Sequence, residues 1–149
     1  MHRILVLHGP NLHALGTRER GLYGRATLEE LDGLLARLGA ELECEVECRQ
    51  SNHEGVLIDA LYGARARAHG VLLNAGGLTH TSVALRDAVL AADVPVVEVH
   101  VTNPHSRESF RRHSLISGVA LGVVQGFGAD SYLLGLRALV SHLARGGNA

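Results

Sequence analysis

The chain has 149 residues, of which 46% are hydrophobic, which suits one domain with a substantial core. Its formal net charge of -1 offers no basic field for nucleic acid, and no run approaches the roughly 20 apolar residues of a membrane span. The apolar run Ile4 to Leu7 is too short for a signal peptide. We therefore expect a cytoplasmic protein with a single domain over residues 1–149 and no nucleic-acid or membrane partner.

The basic residues are all arginine, because lysine does not occur in the sequence. This excludes Schiff-base catalysis on a lysine and a phosphate-binding loop that depends on one. The cysteines, Cys44 and Cys48, lie roughly 13 Å apart along one predicted strand, too far to pair with each other. Reduced thiols agree with a cytoplasmic location.

The first half of the chain predicts two strands and two helices. Arg3 to Leu7 is an apolar run typical of a central strand, and the alternating segment from Glu41 to Gln50 is typical of an edge strand. A capping box at Thr27 begins a helix that we expect to end at Gly39. A second helix is predicted from Glu54 to Ala68. Its inward face is expected to contain Val56, Leu57, Leu61 and Ala64.

The segment from Gly9 to Tyr23 has no hydrophobic period. At this length it is either a functional lid or a disordered excursion, and we favour the lid.

The second half continues the alternation of strands and helices. Val71 to Asn74 predicts a buried strand, and Gly76-Gly77 lets the chain turn sharply beside a ligand. The remaining predicted elements are a helix from Val83 to Ala92 with Leu85, Val89 and Leu90 inward, strands from Val94 to His100 and from Val119 to Val124, and a helix from Ser131 to Leu143.

This element order predicts an α/β fold, with a doubly wound, five-stranded parallel sheet and helices on both faces. With the second strand at an edge, the strand order is the flavodoxin-like 2-1-3-4-5. Ligands of such sheets bind beyond the carboxyl ends of the strands, at the switch point between strands one and three. Asn11 and Asn74 should therefore face each other across a cleft.

Glu98 and His100 are two residues apart on a predicted strand and so point to the same face. The carboxylate could hold the imidazole in one tautomer and make it a better proton carrier. The alternative is a buried, hydrogen-bonded pair that serves packing.

Arg18 and Tyr23 share the predicted lid. A phenol has a pKa near 10, and a guanidinium about 4 Å away could lower the pKa enough for base chemistry at neutral pH. The alternative is a solvated pair. Arg107, Arg111 and Arg112 likewise indicate a solvated face, although one of them could clamp a substrate carboxylate.

Two other patterns are weak. Gly126-x-Gly128 follows the last strand and lacks the third glycine of a dinucleotide fingerprint. His100, His105 and His113 lie near one strand end, but their spacing is not that of a helical metal site. We expect neither a metal nor a cofactor.

Several blocks together resemble the type II dehydroquinases, also called type II 3-dehydroquinate dehydratases. The similarity spans nearly the whole chain, and its motifs occur in order at predicted strand ends. They are Gly9-Pro10-Asn11-Leu12, Leu15-Gly16, Arg18-Glu19, Tyr23-Gly24, Gln50-Ser51-Asn52, Glu54-Gly55, the block Leu73 to Asp87, Glu98-Val99-His100 and Phe110-Arg111-Arg112-His113-Ser114.

The resemblance implies a lyase that dehydrates 3-dehydroquinate to 3-dehydroshikimate through an enolate, in the shikimate pathway or in quinate breakdown. It implies that Tyr23 is the base, that Arg18 favours the phenolate of Tyr23, and that Asn11 holds a water at the enolate. His100, oriented by Glu98, would be the acid. The implied substrate-binding residues are Asn74, His80, Asp87, Val101, Thr102 and Arg111, with Asp87 reaching a neighbouring subunit's site in a homododecamer built from trimers.

Three positions depart from the family pattern. Arg20 stands where proline is usual, Thr102 replaces a serine and keeps the hydroxyl, and Ser131 replaces a common glycine. The competing interpretation of the whole sequence is a flavodoxin-like binding or regulatory domain without catalysis. A receiver domain would need paired acids after the first strand and a lysine after the last, and a flavin binder would need more aromatic residues.

Overall fold

The computed structural model describes residues 1–17 and 19–146. These residues form five strands and five α-helices. They are β1 (His2–His8), α1 (Arg20–Tyr23), α2 (Leu28–Glu41), β2 (Cys44–Gln50), α3 (Glu54–Arg67), β3 (Gly70–Asn74), α4 (Val83–Ala91), β4 (Val96–His100), β5 (Gly122–Gln125) and α5 (Ala129–Ala144).

The strands form one parallel sheet in the order β2-β1-β3-β4-β5, which confirms the predicted flavodoxin-like topology. Apolar residues on one face of the sheet pack with α3 and α4, and those on the other face pack with α2 and α5. The central strands β1, β3 and β4 are therefore buried on both faces over most of their length, as their continuous apolar runs predict, whereas the edge strands β2 and β5 are partly exposed. None of the helices that the structure describes has the length and hydropathy of a transmembrane span.

Local signals explain where two of the helices begin. The Thr27 side chain accepts a hydrogen bond from the Glu30 amide at the start of α2, and Ser82 accepts one from Leu85 at the start of α4. Each cap satisfies an amide that has no partner within its helix.

The prediction that Gly39 ends the first long helix is wrong. Helix α2 continues to Glu41, and the chain reverses at Glu43, whose φ is 56°. Gly39 instead allows close packing, because a Cβ there would lie 2.6 Å from Cγ2 of Val46 on β2. The glycine therefore serves contact between helix and strand.

Two predicted core positions are also wrong. Val56 on α3 and Leu90 on α4 are 52% and 60% exposed, whereas Ala60 on α3 is buried. The buried face of α3 consists of Leu57, Ala60, Leu61 and Ala64, and Val56 lies outside this face. The predicted strand bounds also shift, since the fifth strand begins at Gly122 and Ser117–Val119 forms a 3-10 turn.

The described part of the Gly9 to Tyr23 segment is ordered into short turns. Leu12–Ala14 is a 3-10 turn, Leu12 and Leu15 are buried, and α1 begins at Arg20. Asn11, Leu12 and Tyr23 of this segment line one cavity with Asn74 and His100, at the carboxyl ends of β3 and β4. A lid function for the segment stays a prediction.

Candidate active site

A polar cleft lies at the carboxyl ends of β1, β3 and β4, where these strands finish at His8, Asn74 and His100. It encloses about 120 Å³. Most of the residues predicted for the site line this cleft: Asn11, Tyr23, Asn74, His80, His100, Val101, Thr102 and Arg111. Asn11 and Asn74 thus line the same space, as the switch-point argument predicts. A larger groove of about 560 Å³ between α3 and β2 contains none of the predicted site residues.

The imidazole of His100 is held from behind by Glu98. Nε2 of His100 lies 2.5 Å from Oε2 of Glu98, and the carboxylate is 1% exposed. Ser117 donates a hydrogen bond to Oε1 at 2.5 Å, and Ser114 donates to Oε2 at 3.0 Å. Because Nε2 of His100 is engaged with the carboxylate, Nδ1 is the nitrogen left for a ligand in the cleft.

The charge of Glu98 is maintained inside the protein. Burial raises the pKa of this carboxyl, but the hydrogen bonds from His100, Ser117 and Ser114 outweigh burial and leave its pKa below the ordinary value. Glu98 is therefore an anion that can orient His100 and stabilise a positive charge on it.

Tyr23 lies at the end of α1 and lines the cleft opposite the strand ends. The guanidinium carbon of Arg107 lies 5.0 Å from the centroid of the Tyr23 ring. The Arg107 side chain is only 10% exposed, and its Nη1 donates a 3.4 Å hydrogen bond to the hydroxyl of Thr102. A fixed cation therefore lies against the phenol inside the cleft.

Asn74 is buried and its amide has a defined orientation. Its Oδ1 accepts a hydrogen bond from the Gly76 amide at 3.1 Å, and its Nδ2 donates to the Tyr132 hydroxyl at 2.9 Å. The first contact forms an Asx-turn, because the amide two residues further along donates to the Asn74 side chain. The second amide hydrogen is left for a ligand in the cleft.

His80 and Arg111 are also oriented by neighbours. Nδ1 of His80 lies 2.7 Å from the backbone oxygen of His113, which leaves Nε2 for the cleft. Nε of Arg111 donates to Glu108 at 3.2 Å, so its terminal nitrogens remain for an anion.

The profile of the family described as Dehydroquinase class II matches residues 2–140. The chain belongs to the class II dehydroquinase family. A 3-dehydroquinate dehydratase of Nostoc sp. is 56% identical over 94% of this chain and 95% of its own. One of Trichodesmium erythraeum is 49% identical over 99% of both chains.

Solved structures of type II dehydroquinases are similar to this chain. The type II dehydroquinase of Butyrivibrio crossotus superposes with a TM-score of 0.90 at 38% identity, covering 93% of this chain and 97% of its own. That of Propionibacterium acnes superposes with a TM-score of 0.91 at 36% identity, covering 95% and 97%.

The positions that depart from the class II dehydroquinase pattern have visible contacts. Nε of Arg20, at the usual proline position, donates a 2.8 Å hydrogen bond to the Gly16 carbonyl and so ties α1 to the preceding turn. The hydroxyl of Ser131 accepts a hydrogen bond from the Phe127 amide at 2.9 Å, which anchors the start of α5. The Thr102 hydroxyl contacts Arg107 inside the cleft.

Three of the predicted site residues are not among those that line the cleft. Glu98 lies behind His100, as described. Asp87 is exposed on α4 and does not line the cleft of its own chain. Arg18 lies outside the described residues, so its place beside Tyr23 stays a prediction.

The sequence does not predict the contacts of three further residues in or behind the cleft. The sequence predicts for Arg107, Arg111 and Arg112 a solvated face or, for one of them, a carboxylate clamp, whereas Arg107 lies against Tyr23. The signal that could single it out is its place just after the Pro104–Ser106 turn beyond β4. Ser114 closes the motif that begins at Phe110, but the sequence assigns it no role, and Ser117, the other hydroxyl that holds Glu98, carries no local signal. Among the described residues, His100, His105 and His113 do not form a metal-ligand cluster.

Proposed function

We propose that the chain dehydrates 3-dehydroquinate to 3-dehydroshikimate through an enolate intermediate, as a single catalytic domain without a metal or cofactor. The relatives that carry the name 3-dehydroquinate dehydratase support the substrate, because they match nearly the full chain. The observation that carries the mechanism is the buried Glu98 carboxylate 2.5 Å from His100, with Tyr23 lining the same cleft.

Tyr23 is the proposed base. Its phenolate removes a proton from the carbon next to the ketone, and the electron pair of that bond moves to the ketone oxygen as an enolate. Arg107 supports this role, since its guanidinium lies against the ring and favours a negative charge there. Arg18 is proposed to add to the same field. Asn11 is proposed to hold a water that donates to the enolate oxygen.

His100 is the proposed acid. The enolate re-forms the ketone and a carbon–carbon double bond, and the carbon–oxygen bond to the departing hydroxyl breaks. His100 gives that hydroxyl a proton, so one water leaves, and the Tyr23 proton returns to solvent. Glu98 supports this role because its negative charge stabilises a protonated His100 before the transfer.

Substrate binding is assigned to the remaining polar groups of the cleft. The carboxylate is proposed to lie against Arg111 and the backbone of Val101 and Thr102, and the hydroxyls against Asn74 and His80. These side chains are oriented by partners outside the cleft, which reduces the entropy cost of binding.

Assembly and location belong to the same proposal. Asp87 is exposed on α4, consistent with a role at a neighbouring subunit's site in a homododecamer of trimers. The free cysteines Cys44 and Cys48 favour a cytoplasmic location. The activity fits aromatic biosynthesis through the shikimate pathway or quinate breakdown.

The direct test is incubation of the purified protein with 3-dehydroquinate while the ultraviolet absorbance of the conjugated enone product is followed. We expect the absorbance to rise in proportion to enzyme, and to do so far more slowly with His100→Ala. Binding of 3-dehydroquinate without enone formation would favour the competing interpretation, a non-catalytic flavodoxin-like domain.

A further inference from the structure

Four buried or half-buried polar side chains from four elements form a chain of hydrogen bonds behind the cleft. The Asn74 amide donates to the Tyr132 hydroxyl at 2.9 Å, and Tyr132 lies 2.9 Å from Nδ1 of His8. Nε2 of His8 then lies 2.8 Å from Oδ1 of Asp32. His8 and Tyr132 are 0% exposed, whereas the Asp32 side chain is 35% exposed. The network thus connects Asn74, which lines the cleft, to the partly exposed Asp32 on α2.

One arrangement of hydrogens satisfies every member of this network. In it Tyr132 accepts from Asn74 and donates its one hydroxyl hydrogen to Nδ1 of His8. His8 must then carry its proton on Nε2, where Asp32 accepts it. Each group gives one hydrogen to the next, and the Asp32 carboxylate is the final acceptor.

The ionisation of Tyr132 and Cys48 agrees with this direction. Burial raises the pKa of Tyr132 well above its ordinary value, although the hydrogen bond from Asn74 acts the other way. Tyr132 therefore remains a hydroxyl that can donate. Burial, followed by the charge of Asp32, raises the pKa of the Cys48 thiol, so this thiol is a neutral donor to the same carboxylate.

We infer that Asp32 is a positioning residue that fixes the amide of Asn74 toward substrate, acting through His8 and Tyr132. This inference rests on the proposed function, in which Asn74 binds a substrate hydroxyl. Without an acceptor at position 32, His8 could carry its proton on Nδ1 and donate to Tyr132. Tyr132 would then face two N–H groups, and its own hydrogen could be satisfied only if the Asn74 amide turned over. That inversion would set the Asn74 NH₂ group against the Gly76 amide.

The main competing assignment for the same atoms is a metal site. His8, Asp32 and Cys48 offer ligand atoms within 4.8 Å of one another. A metal on Nε2 of His8 requires that nitrogen to be unprotonated, whereas the network requires Nε2 to carry the proton. The two assignments therefore make opposite demands on the tautomer of His8.

The kinetic test compares Asp32→Leu, which removes the acceptor, with Asp32→Asn, whose Oδ1 can still accept from His8. We expect the KM for 3-dehydroquinate to rise about 10-fold in Asp32→Leu, the effect of about one hydrogen bond, while kcat changes less. Asp32→Asn should stay within about 2-fold of wild type. An Asp32→Leu enzyme with the wild-type KM would overturn the inference.

Two further variants separate positioning from general loosening of the fold. Tyr132→Phe cuts the network, so adding Asp32→Leu to it should raise KM no further; multiplied effects would mean that Asp32 acts by another route. Leu35→Ala loosens α2 at a buried position outside the network and should lower Tm while leaving KM unchanged. An equal rise of KM in Leu35→Ala would assign the effect to helix packing and overturn the inference.

A tautomer measurement does not depend on activity. Histidine ¹⁵N NMR, with the His8 signal identified by its loss in His8→Asn, should find the Nε2–H form in wild type and Asp32→Asn. A proton on Nδ1 in wild type, or bound zinc in the purified protein that is lost in Cys48→Ser, would overturn the network. Failure of wild type to form the enone would instead contradict the proposed function and leave the tautomer result standing.

Discussion

Nε2 of His100 lies 2.5 Å from the carboxylate of Glu98, and that carboxylate is fixed from its other side by Ser114 and Ser117. The arrangement uses the alternation of a strand, which puts residues two apart on one face. It also places a buried negative charge where a histidine must gain and lose a proton. His100 is therefore prepared for its proposed role before substrate binds.

The first prediction separates the acid from its orienting partner. His100→Ala should lower kcat by something like 10²–10⁴-fold, because the departing hydroxyl loses its proton donor. Glu98→Gln should be milder, since a glutamine oxygen can still accept from Nε2. Steady-state kinetics with 3-dehydroquinate measure both. Near-normal turnover by His100→Ala would remove this residue from the mechanism.

The second prediction concerns stability in acid. The pKa of Glu98 is lowered in the folded protein. The stability that the Glu98 charge adds to the fold is therefore fully present above the ordinary carboxyl pKa near 4.5. The contribution is lost as pH falls through the lower folded value. Urea unfolding should therefore find Glu98→Gln less stable than wild type at neutral pH, by about 1–3 kcal/mol, with a gap that narrows in acid. A constant gap across the acid range would contradict this account of Glu98.

The third prediction compares adjacent glycines in the turn after β3. Gly76 has a φ of +58°, and a Cβ there would lie 2.9 Å from the Pro10 carbonyl oxygen, whereas a Cβ at Gly77 would meet nothing within 4 Å. Gly76→Ala should thus cost at least about 1 kcal/mol. Gly77→Ala should stay within about 0.5 kcal/mol of wild type. Thermal unfolding of both variants checks this, and equal Tm values would mean that the turn tolerates a side chain at Gly76.

The fourth prediction follows from the absence of lysine in the sequence. Borohydride added during turnover should neither inactivate the enzyme nor trap a substrate adduct, because no side-chain amine can form a Schiff base. Chelators should likewise leave the rate unchanged. Mass spectrometry of the intact protein measures the adduct, and a mass increase would overturn the enolate route.

The sequence predicts the fold of this protein better than it predicts the residues that hold the side chains of the cleft in place. The strand order follows from the apolar runs and from the alternation between Glu41 and Gln50, which marks the second strand as an edge strand with one solvent-exposed face. The pairing of Glu98 with His100 follows from local spacing. Both are properties of short segments, so a single sequence reveals them.

The unpredicted features depend on contacts between distant segments. Ser117 lies 19 residues after Glu98 in a turn without a period, and Tyr132 lies 58 residues after Asn74 on α5. Nothing local in the sequence says that these hydroxyls meet those partners. Val56 and Leu90 are apolar residues at helical spacing, and only the packing of α3 and α4 decides that they face outward.

The division of labour between Tyr23 and His100 is the central claim, and exchange of the abstracted substrate hydrogen with solvent deuterium tests it most directly. The base alone is needed for exchange, whereas loss of the hydroxyl also needs the acid. We predict that His100→Ala still exchanges this hydrogen while forming little enone. Tyr23→Phe should bind 3-dehydroquinate but should neither exchange this hydrogen nor form the enone. Exchange at the wild-type rate in Tyr23→Phe would contradict the account, because another group would then be the base.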